Sequence, residues 1–249
     1  MVTQSPEAYR FEWGEEGLAS LAPDAGVVVI VDVLRFTTAV CCALESDAVV
    51  LPYRWSDDGA AGYARANDAL LAGRREDGAL SLSPTDLLTV QPGTRLVLPS
   101  PNGSTLAFLA RDLGARHVLA GCLRNAQATA TAAMELAKGE CVAFVAAGER
   151  WPTHGGPLRP AVEDMLGAGA MLAALDPSGA VGAPRCSPEA AAARAAFVHA
   201  RPLLYDTLRN TTSGRELIER GCDDDVATAA AHDVSTTVCH LVANEFRRY

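Results

Sequence analysis

The sequence predicts a layered α/β/α fold in which a mostly parallel or mixed sheet lies between two layers of helices. Two observations predict it. Short apolar runs alternate along the chain with segments of helical periodicity, a pattern that is typical of parallel sheets. The run at residues 27–31 (VVVIV) is β-branched throughout, which indicates a strand that is buried on both faces. Because the chain has 249 residues, of which 49% are hydrophobic, it can bury a substantial core, and we expect a single domain over residues 1–249.

The individual elements follow from local patterns. Apolar runs predict strands at residues 27–31, 48–53, 95–99, 117–120 and 141–146. Apolar stripes at helical spacing predict helices at residues 37–45, 57–71, 104–113, 125–137 and 161–175, with a short helix after Pro84. The C-terminal third is predicted to be helical, with helices at residues 188–199, 202–208, 214–220 and 224–231, and a last strand or docking segment at 237–242. The stretch at residues 176–188 is linker-like, but no charge run divides the chain there.

The composition disfavours several classes of function. A formal net charge of -9 and a pI near 5.0 argue against nucleic acid or an acidic membrane surface as the main partner. No apolar window is long enough to span a bilayer, and the acidic N-terminus carries no signal-peptide pattern, so we expect a cytoplasmic protein. The seven cysteines include no C-x-x-C pair and are expected to be small buried hydrophobes, and the five histidines lack zinc-ligand spacing.

Polar clusters end four of the predicted strands. They are DVLRFTT after the strand at 27–31, SPNGST after 95–99, CLRN after 117–120 and GERW after 141–146. Open α/β sheets bind ligands in the crevice at the carboxyl ends of their strands. The clusters together hold acids, arginines, an amide and a glycine turn, a mixture that favours a metal ion and an oxyanion over an apolar ligand.

The SPNGST cluster predicts a tight turn just before a helix, because Asn102 and Gly103 accept unusual backbone angles. The backbone N–H groups of Gly103, Ser104 and Thr105 would then point outward at a helix N-terminus, where an anion is stabilised. A simple capped turn explains the same residues, and both interpretations stay open at this point.

The DVLRFTT cluster joins opposite charges at a strand end. Asp32 stands where a catalytic or metal-binding carboxylate is expected, Arg35 follows three positions later, and Thr37 and Thr38 add hydroxyl groups. The alternative is a local ion pair between Asp32 and Arg35 that caps the next helix.

Two further groups of polar residues are ambiguous in the sequence. Arg124 is either an oxyanion-binding residue or a surface arginine, and Asn125 is a good helix N-cap. The C-terminal aspartates Asp223, Asp224 and Asp225 are expected to be solvated or to cap a helix.

Two adjacent acids lie at the start of the helix predicted at 161–175. Glu163 and Asp164 occupy its first turn, where carboxylates suit the helix dipole in any case. The run of glycine and alanine at residues 167–170 permits a close approach of another backbone, which would bury this end of the helix. Buried adjacent carboxylates need a cation, and Mg²⁺ prefers oxygen ligands. Glu149, at the end of the preceding strand, could supply a further oxygen.

Several common catalytic motifs are absent from the sequence. It contains no G-x-x-x-x-G-K-[ST] phosphate loop, no G-x-G-x-x-G fingerprint and no G-x-S-x-G elbow, which disfavours ATP, NAD and acyl-enzyme chemistry.

Motifs along nearly the whole chain resemble those of one family. In order they are VIVDVLRFTTAVCCAL, LSLSPTDLL, VLPSPNGST, AGCLRNAQATA, VAAGER, VEDMLGAGAM and SGRELIERGCDDDVATAAAHD. Taken together, they resemble the 2-phosphosulfolactate phosphatases. The resemblance implies a ComB-like phosphatase fold and a Mg²⁺-dependent phosphomonoesterase that converts 2-phospho-3-sulfolactate to 3-sulfolactate and phosphate, a reaction of coenzyme M biosynthesis.

The resemblance also suggests roles for the polar clusters. Mg²⁺ would be held by Asp32, Glu163 and Asp164, with Glu149 nearby, and Asp32 would orient or deprotonate the attacking water. The catalytic set would be Asp32, Arg35, Asn102 and Glu149, and the substrate-binding set would be Arg35, Thr37, Thr38, Asn102, Gly103, Ser104, Thr105, Arg124 and Asn125. Direct attack by water is preferred over an aspartyl intermediate.

Two alternatives to this function stay open. One is a phosphatase for another small anionic phosphoester, and the other is a non-catalytic binding protein for an anionic metabolite. The alanine-rich helices also suggest a homodimer or a larger homo-oligomer. One departure from the family pattern is the pair Arg74 and Arg75, which could alter the substrate pocket.

Overall fold

The structure is a computed structural model that describes residues 3–54, 59–73, 80–151, 156–175 and 186–249. The strands are β1 (Tyr9–Trp13), β2 (Ala25–Val31), β3 (Val49–Tyr53), β4 (Leu70–Leu71), β5 (Arg95–Pro99), β6 (His117–Gly121), β7 (Cys141–Ala146), β8 (Glu149–Arg150), β9 (Leu158–Arg159), β10 (Cys239–Val242) and β11 (Glu245–Arg248). The helices are α1 (Gly14–Leu21), α2 (Phe36–Glu45), α3 (Gly59–Ala66), α4 (Pro84–Leu87), α5 (Gly103–Asp112), α6 (Ala126–Ala137), α7 (Val162–Leu175), α8 (Pro188–Ala200), α9 (Leu204–Asn210), α10 (Thr212–Glu219) and α11 (Asp223–Ala230).

Nine of these strands form one mixed sheet in the order β1-β7-β2-β6-β10-β11-β3-β5-β4. Strands β1, β7, β2 and β6 pair in parallel, and so do β3, β5 and β4. The hairpin of β10 and β11 lies between these two blocks and pairs antiparallel with β6 on one side and with β3 on the other. The sheet is therefore two parallel blocks joined by an antiparallel hairpin.

Helices cover both faces of this sheet, as β2 shows. Its residues Val27, Val29 and Val31 pack in one core cluster with α6, α7 and α8, whereas Val28 and Ile30 pack in a second cluster with α1, α2 and α5. Alternate residues of a strand point to opposite faces, so a strand buried on both faces must be apolar throughout. The layered α/β/α prediction is confirmed, as is the helical character of the C-terminal third.

Helix α7 approaches the sheet closely because of its glycines. A Cβ atom on Gly167 would lie 2.7 Å from Val33 Cγ2, and the backbone of α8 lies against Gly169. This contact buries the start of α7, where Glu163 is 2% exposed and Asp164 is 3% exposed. The expectation that the glycine and alanine run buries these two acids is confirmed.

Some local details of the structure differ from the sequence-based predictions. The strand β1 and helix α1 near the N-terminus were not expected, since their apolar pattern is short. The helix predicted at 57–71 ends at Ala66, because Asp68 takes a positive φ of 50° and the chain turns into β4. Residues 55–58, where this helix was expected to begin, lie outside the described residues, as do residues 74–79 and most of the linker-like stretch. The segment expected at 237–242 is the first strand of the hairpin.

The remaining composition-based expectations can be compared with the described residues. All seven cysteines lie within them, and six of the seven are buried, as expected of small hydrophobes. Among the described helices, none is both long enough and apolar enough to cross a bilayer.

Candidate active site

The loops that follow β2, β5 and β7 converge on Asp32. This residue comes directly after β2 and is 7% exposed. Its Oδ1 accepts a hydrogen bond from the backbone N–H of Phe36 at 3.1 Å, and its Oδ2 accepts one from the N–H of Gly103 at 3.0 Å. The carboxylate is thus held in one orientation between the start of α2 and the start of α5. A Cβ atom on Gly103 would lie 2.8 Å from Oδ2, so glycine permits this contact.

Asp164 joins the loops after β2 and β7 in a similar way. Its Oδ1 accepts from the N–H of Val33 at 2.7 Å, and its Oδ2 accepts from the N–H of Gly148 at 2.9 Å. The neighbouring Glu163 is equally buried and accepts no hydrogen bond from any described residue. Asp164 therefore has a fixed structural contact on each oxygen, whereas the Glu163 carboxylate is available to a ligand.

Glu149 and Asn102 contact each other although they are 47 positions apart in the sequence. Asn102 Nδ2 donates to Glu149 Oε2 at 3.0 Å. Asn102 precedes α5 but makes no side-chain cap hydrogen bond. The amide thus orients the glutamate instead of capping the helix.

The cluster of acids is electrostatically strained. Burial raises the pKa of Asp32 to about 6, two backbone N–H groups lower it, and the charge of Glu163 raises it. Burial also raises the pKa of Glu149 to about 7, and the charge of Asp32 adds to this increase. Burial, followed by the charges of Asp32 and Glu163, raises the pKa of Asp164 well above its ordinary value. Groups with such shifts often mark functional sites, because charge is concentrated there.

A cavity of about 200 Å³ opens beside Asp32, Asn102 and Glu149. Arg35 also lines it, and the Nη1 of Arg35 donates to Asp225 Oδ2 at 2.7 Å. Asp225 is fully buried on α11 and also accepts from Ser83 Oγ. The expectation that Asp225 is solvated or capping is wrong, since α11 turns this carboxylate inward while Asp223 and Asp224 stay exposed. Asp225 fixes Arg35 at the edge of the cavity.

A sequence model of the family described as 2-phosphosulpholactate phosphatase matches residues 15–244. The chain belongs to this family. A 2-phosphosulfolactate phosphatase of Methanothermobacter thermautotrophicus is 30% identical over 218 residues, which cover 86% of each protein. Proteins named as probable 2-phosphosulfolactate phosphatases are 38% identical over 130 residues in Thermus thermophilus and 35% identical over 140 residues in Deinococcus radiodurans. The alignments cover 49% and 51% of this chain, and the chain spans 53% and 57% of those two relatives.

Of the residues that the sequence proposed for this family's site, four line the cavity: Asp32, Arg35, Asn102 and Glu149. The hydroxyls of Thr37 and Thr38 instead donate to the backbone oxygens of Asp32 and Val33, at 2.8 Å and 2.7 Å, and both threonines are fully buried. They hold the loop after β2 in shape. Neither threonine lines the cavity.

The start of α5 has a different role from the one that the SPNGST turn predicted. The N–H of Gly103 donates to the Asp32 carboxylate, so the anion at this helix end belongs to the protein itself. Ser104 is fully buried and its hydroxyl donates to the oxygen of Leu98 at 3.4 Å, and neither Ser104 nor Thr105 lines the cavity.

Arg124 and Asn125 are not brought to the cavity either. Arg124 forms an ion pair with Glu45 at 3.0 Å and donates to the oxygen of Thr228 at 3.2 Å. Asn125 is fully buried and its Nδ2 donates to the oxygen of Thr237 at 2.9 Å. Both residues tie the loop after β6 to neighbouring helices and to the segment before β10.

Residues that were not proposed from the sequence complete the cavity wall. They are Leu34, Phe36, Leu82, Ser100, Pro101, Ser213, Glu216, Leu217 and Arg220. Four of these come from α10 and its C-terminal cap, which the sequence showed only as one more amphipathic helix. The SGRELIER motif was visible, but no local pattern linked it to Asp32, which lies 181 positions before Ser213.

The chemistry of the acids fits a hard divalent cation. Burial and the neighbouring charge of Glu163 raise the pKa of both Asp32 and Asp164, and a cation near these carboxylates would stabilise their charged forms. Within the described ranges, no group of three or more histidine, cysteine or acidic side chains is arranged so that it could hold a metal ion by itself. Mg²⁺ commonly binds to one or two carboxylates and takes its other ligands from water and substrate phosphate. The donor set fits that mode of binding.

Proposed function

We propose that the protein is a phosphomonoesterase that hydrolyses 2-phosphosulfolactate to 3-sulfolactate and phosphate. The observation that carries the proposal is the convergence of Asp32, Asn102, Glu149 and Arg35 on one cavity, in a chain that belongs to the family. The substrate is a small phosphoester that also bears a carboxylate and a sulfonate. The cavity, of about 200 Å³, suits a compact polar molecule, since most of its lining groups are polar or charged.

In this proposal Asp32 and Glu149 act on the attacking water. The two backbone N–H groups that hold Asp32 leave one lone pair on each oxygen, so the carboxylate can accept a hydrogen bond in a fixed direction. Glu149 has a pKa of about 7 and can therefore take a proton from water and return it near neutral pH. Asn102 keeps the Oε2 atom of Glu149 in place, which leaves the Oε1 atom for this proton transfer.

Direct attack by water is preferred over an aspartyl intermediate. Both oxygens of Asp32 are already hydrogen-bonded to backbone N–H groups, which stabilises the anion and weakens it as a nucleophile. Arg35, held by Asp225, is placed to bind oxygens of the transferred phosphoryl group.

Mg²⁺ would be held by Glu163 and Asp32, with Asp164 close by, and when bound it would polarise the phosphoryl oxygens. Glu163 carries the argument for this set, because it is buried and accepts no hydrogen bond from the described residues. The place of the reaction in coenzyme M biosynthesis, the cytoplasmic location and a homo-oligomeric assembly remain predictions.

The test is phosphate release from 2-phosphosulfolactate by the purified protein with Mg²⁺. Turnover by the wild type is expected, and Asp32→Asn and Glu163→Gln are each expected to reduce kcat/KM by at least about a hundredfold. Glu135→Gln, which removes an exposed carboxylate on α6, is the matched control and should keep wild-type activity. A fully active Asp32→Asn enzyme would reject the site. Binding without turnover of any phosphoester would favour a binding protein.

A further inference from the structure

The cavity holds a cation that the proposed chemistry does not use. Arg220 lines the cavity at the C-terminal cap of α10. Its side chain is exposed, and it makes no hydrogen bond or ion pair with any described residue. Arg35, which also lines the cavity, differs because its charge is balanced by the buried Asp225 at 2.7 Å. No described residue balances the positive charge of Arg220, and this charge is therefore available to a ligand.

The backbone at Arg220 is well anchored, although its side chain is free. Its N–H donates to the oxygen of Leu217 at 3.1 Å, and the positive φ of Gly221, 74°, ends the helix directly after it. Leu217 is 7% exposed and packs in the core cluster that contains Val27, and Gly214 lies against the backbone of α9. The arginine thus projects from a fixed point on the cavity rim, and binding a ligand requires only its side chain to be ordered.

An ordinary surface role for Arg220 would be an ion pair with Glu216, four residues earlier on α10. The two side chains have the favourable order for such a pair, with the glutamate nearer the helix N-terminus. No carboxylate oxygen of the described residues lies within ion-pair distance of Arg220, however, and Glu216 itself lines the cavity. Arg220 therefore adds an unpaired positive charge, among the described residues, to a cavity that Asp32, Glu149 and Glu216 also line.

The charge of the substrate explains what such a cation would do. A phosphoester that carries a carboxylate or sulfonate brings negative charge to a cavity already lined by three acids, Asp32, Glu149 and Glu216. The phosphoryl group belongs near Asp32, where the water is oriented, and the second anion must then lie elsewhere in the cavity. We propose that Arg220 binds this second anionic group and selects phosphoesters that carry one. The inference rests on the proposed function, which it extends to substrate selection.

Three substrates separate the contributions of the anionic groups. p-Nitrophenyl phosphate has no second anion, 2-phospholactate adds a carboxylate, and 2-phosphosulfolactate adds a carboxylate and a sulfonate. Arg220→Gln is expected to raise KM about tenfold for a substrate whose second anion Arg220 binds, with kcat nearly unchanged, because the lost charge-assisted contact is equally strong in the ground state and in the transition state. The values for p-nitrophenyl phosphate should stay within about twofold of wild type. If only 2-phosphosulfolactate is affected, the sulfonate is the group bound.

Two further variants control this experiment. Arg220→Lys keeps the positive charge and should retain most of the preference for the doubly anionic substrates. Arg215→Gln removes another exposed arginine of α10, which does not line this cavity, and should behave as wild type on all three substrates. Because Arg220 is exposed, its substitution is expected to leave the fold and Tm unchanged.

The outcomes distinguish this inference from the proposed function. Equal activity of Arg220→Gln and wild type on all three substrates overturns the role of Arg220 while the phosphatase assignment stands. An equal loss on all three also overturns it, because the arginine would then act on the phosphate or on the fold. If the wild type hydrolyses no phosphoester, the proposed function fails, and calorimetric binding of 3-sulfolactate decides the inference. About tenfold weaker binding by Arg220→Gln supports it, and equal binding or no binding by wild type overturns it.

Discussion

Glu149→Gln should stabilise the metal-free protein at alkaline pH while it removes catalysis. The glutamine keeps the size of the side chain, and its carbonyl oxygen can still accept the hydrogen bond from Asn102 Nδ2. What changes is the charge. Glutamine remains neutral at every pH, whereas the partly buried glutamate must ionise beside Asp32 as the pH rises.

The magnitude follows from the pKa. Burial raises the pKa of Glu149 from 4.5 to about 7, and each pKa unit corresponds to about 1.4 kcal/mol, which amounts to about 3 kcal/mol. An acid with a raised folded-state pKa binds more protons when folded than when unfolded. The free energy of unfolding therefore falls as the pH rises from about 4.5 to about 7, and it stays lower above that window. The glutamine variant does not undergo this loss.

The assay is urea unfolding of both proteins with a chelator present, at several pH values from 4.5 to 8. The free energy of unfolding of Glu149→Gln minus that of wild type should increase by about 3 kcal/mol across this range. Glu135→Gln, at an exposed position of α6, serves as the control, since surface substitutions change stability by about 0.5 kcal/mol or less. A difference that does not vary with pH would refute the conclusion that the partly buried Glu149 carboxylate has a raised pKa.

Three other perturbations test separate parts of the site. Asp225→Asn removes the buried charge partner of Arg35 and should lower the free energy of unfolding by about 3 kcal/mol and abolish most of the activity. Asp224→Asn, at an exposed position, should resemble wild type. Equal behaviour of the two variants would contradict the role of the Arg35–Asp225 ion pair. Gly103→Ala places a Cβ atom 2.8 Å from Asp32 Oδ2 and should cost about 1 to 3 kcal/mol, measured by urea unfolding, while Gly62→Ala, with open space around it, should be neutral or stabilising. Removal of divalent cations with a chelator should abolish phosphate release, and added Mg²⁺ should restore it; activity that persists in the chelator would remove the metal from the proposal.

Parts of the site were accessible from the sequence because they depend on local position. Asp32 follows a strand that is buried on both faces, and Glu149 follows another strand, so an acid at either strand end was a reasonable candidate. The burial of Glu163 could be predicted from the glycines that follow it, since small residues permit close packing. These inferences need only the periodicity of apolar residues along the sequence and the size of neighbouring residues.

Other candidate residues have partners that the sequence does not show. Arg124 follows a strand as Asp32 does, yet Glu45 on α2 neutralises its charge away from the cavity. The N–H of Gly103 was expected to bind a substrate anion, and it binds Asp32 instead. Arg220 had no local signal at all, because its significance depends on where α10 packs.

By itself, the sequence determined the alternation of strands and helices, the two-sided burial of β2, the helical C-terminal third and the family. These are properties of local periodicity and of motifs that stand in order along the chain. The tertiary structure alone decided how the two parallel blocks meet across the hairpin of β10 and β11, and therefore that the loop after β5 reaches Asp32. It also decided which charges are paired and which face the cavity. The physical reason is that ion pairs and backbone contacts form between residues that are far apart in sequence, such as Arg35 and Asp225, and local patterns carry no information about such distances.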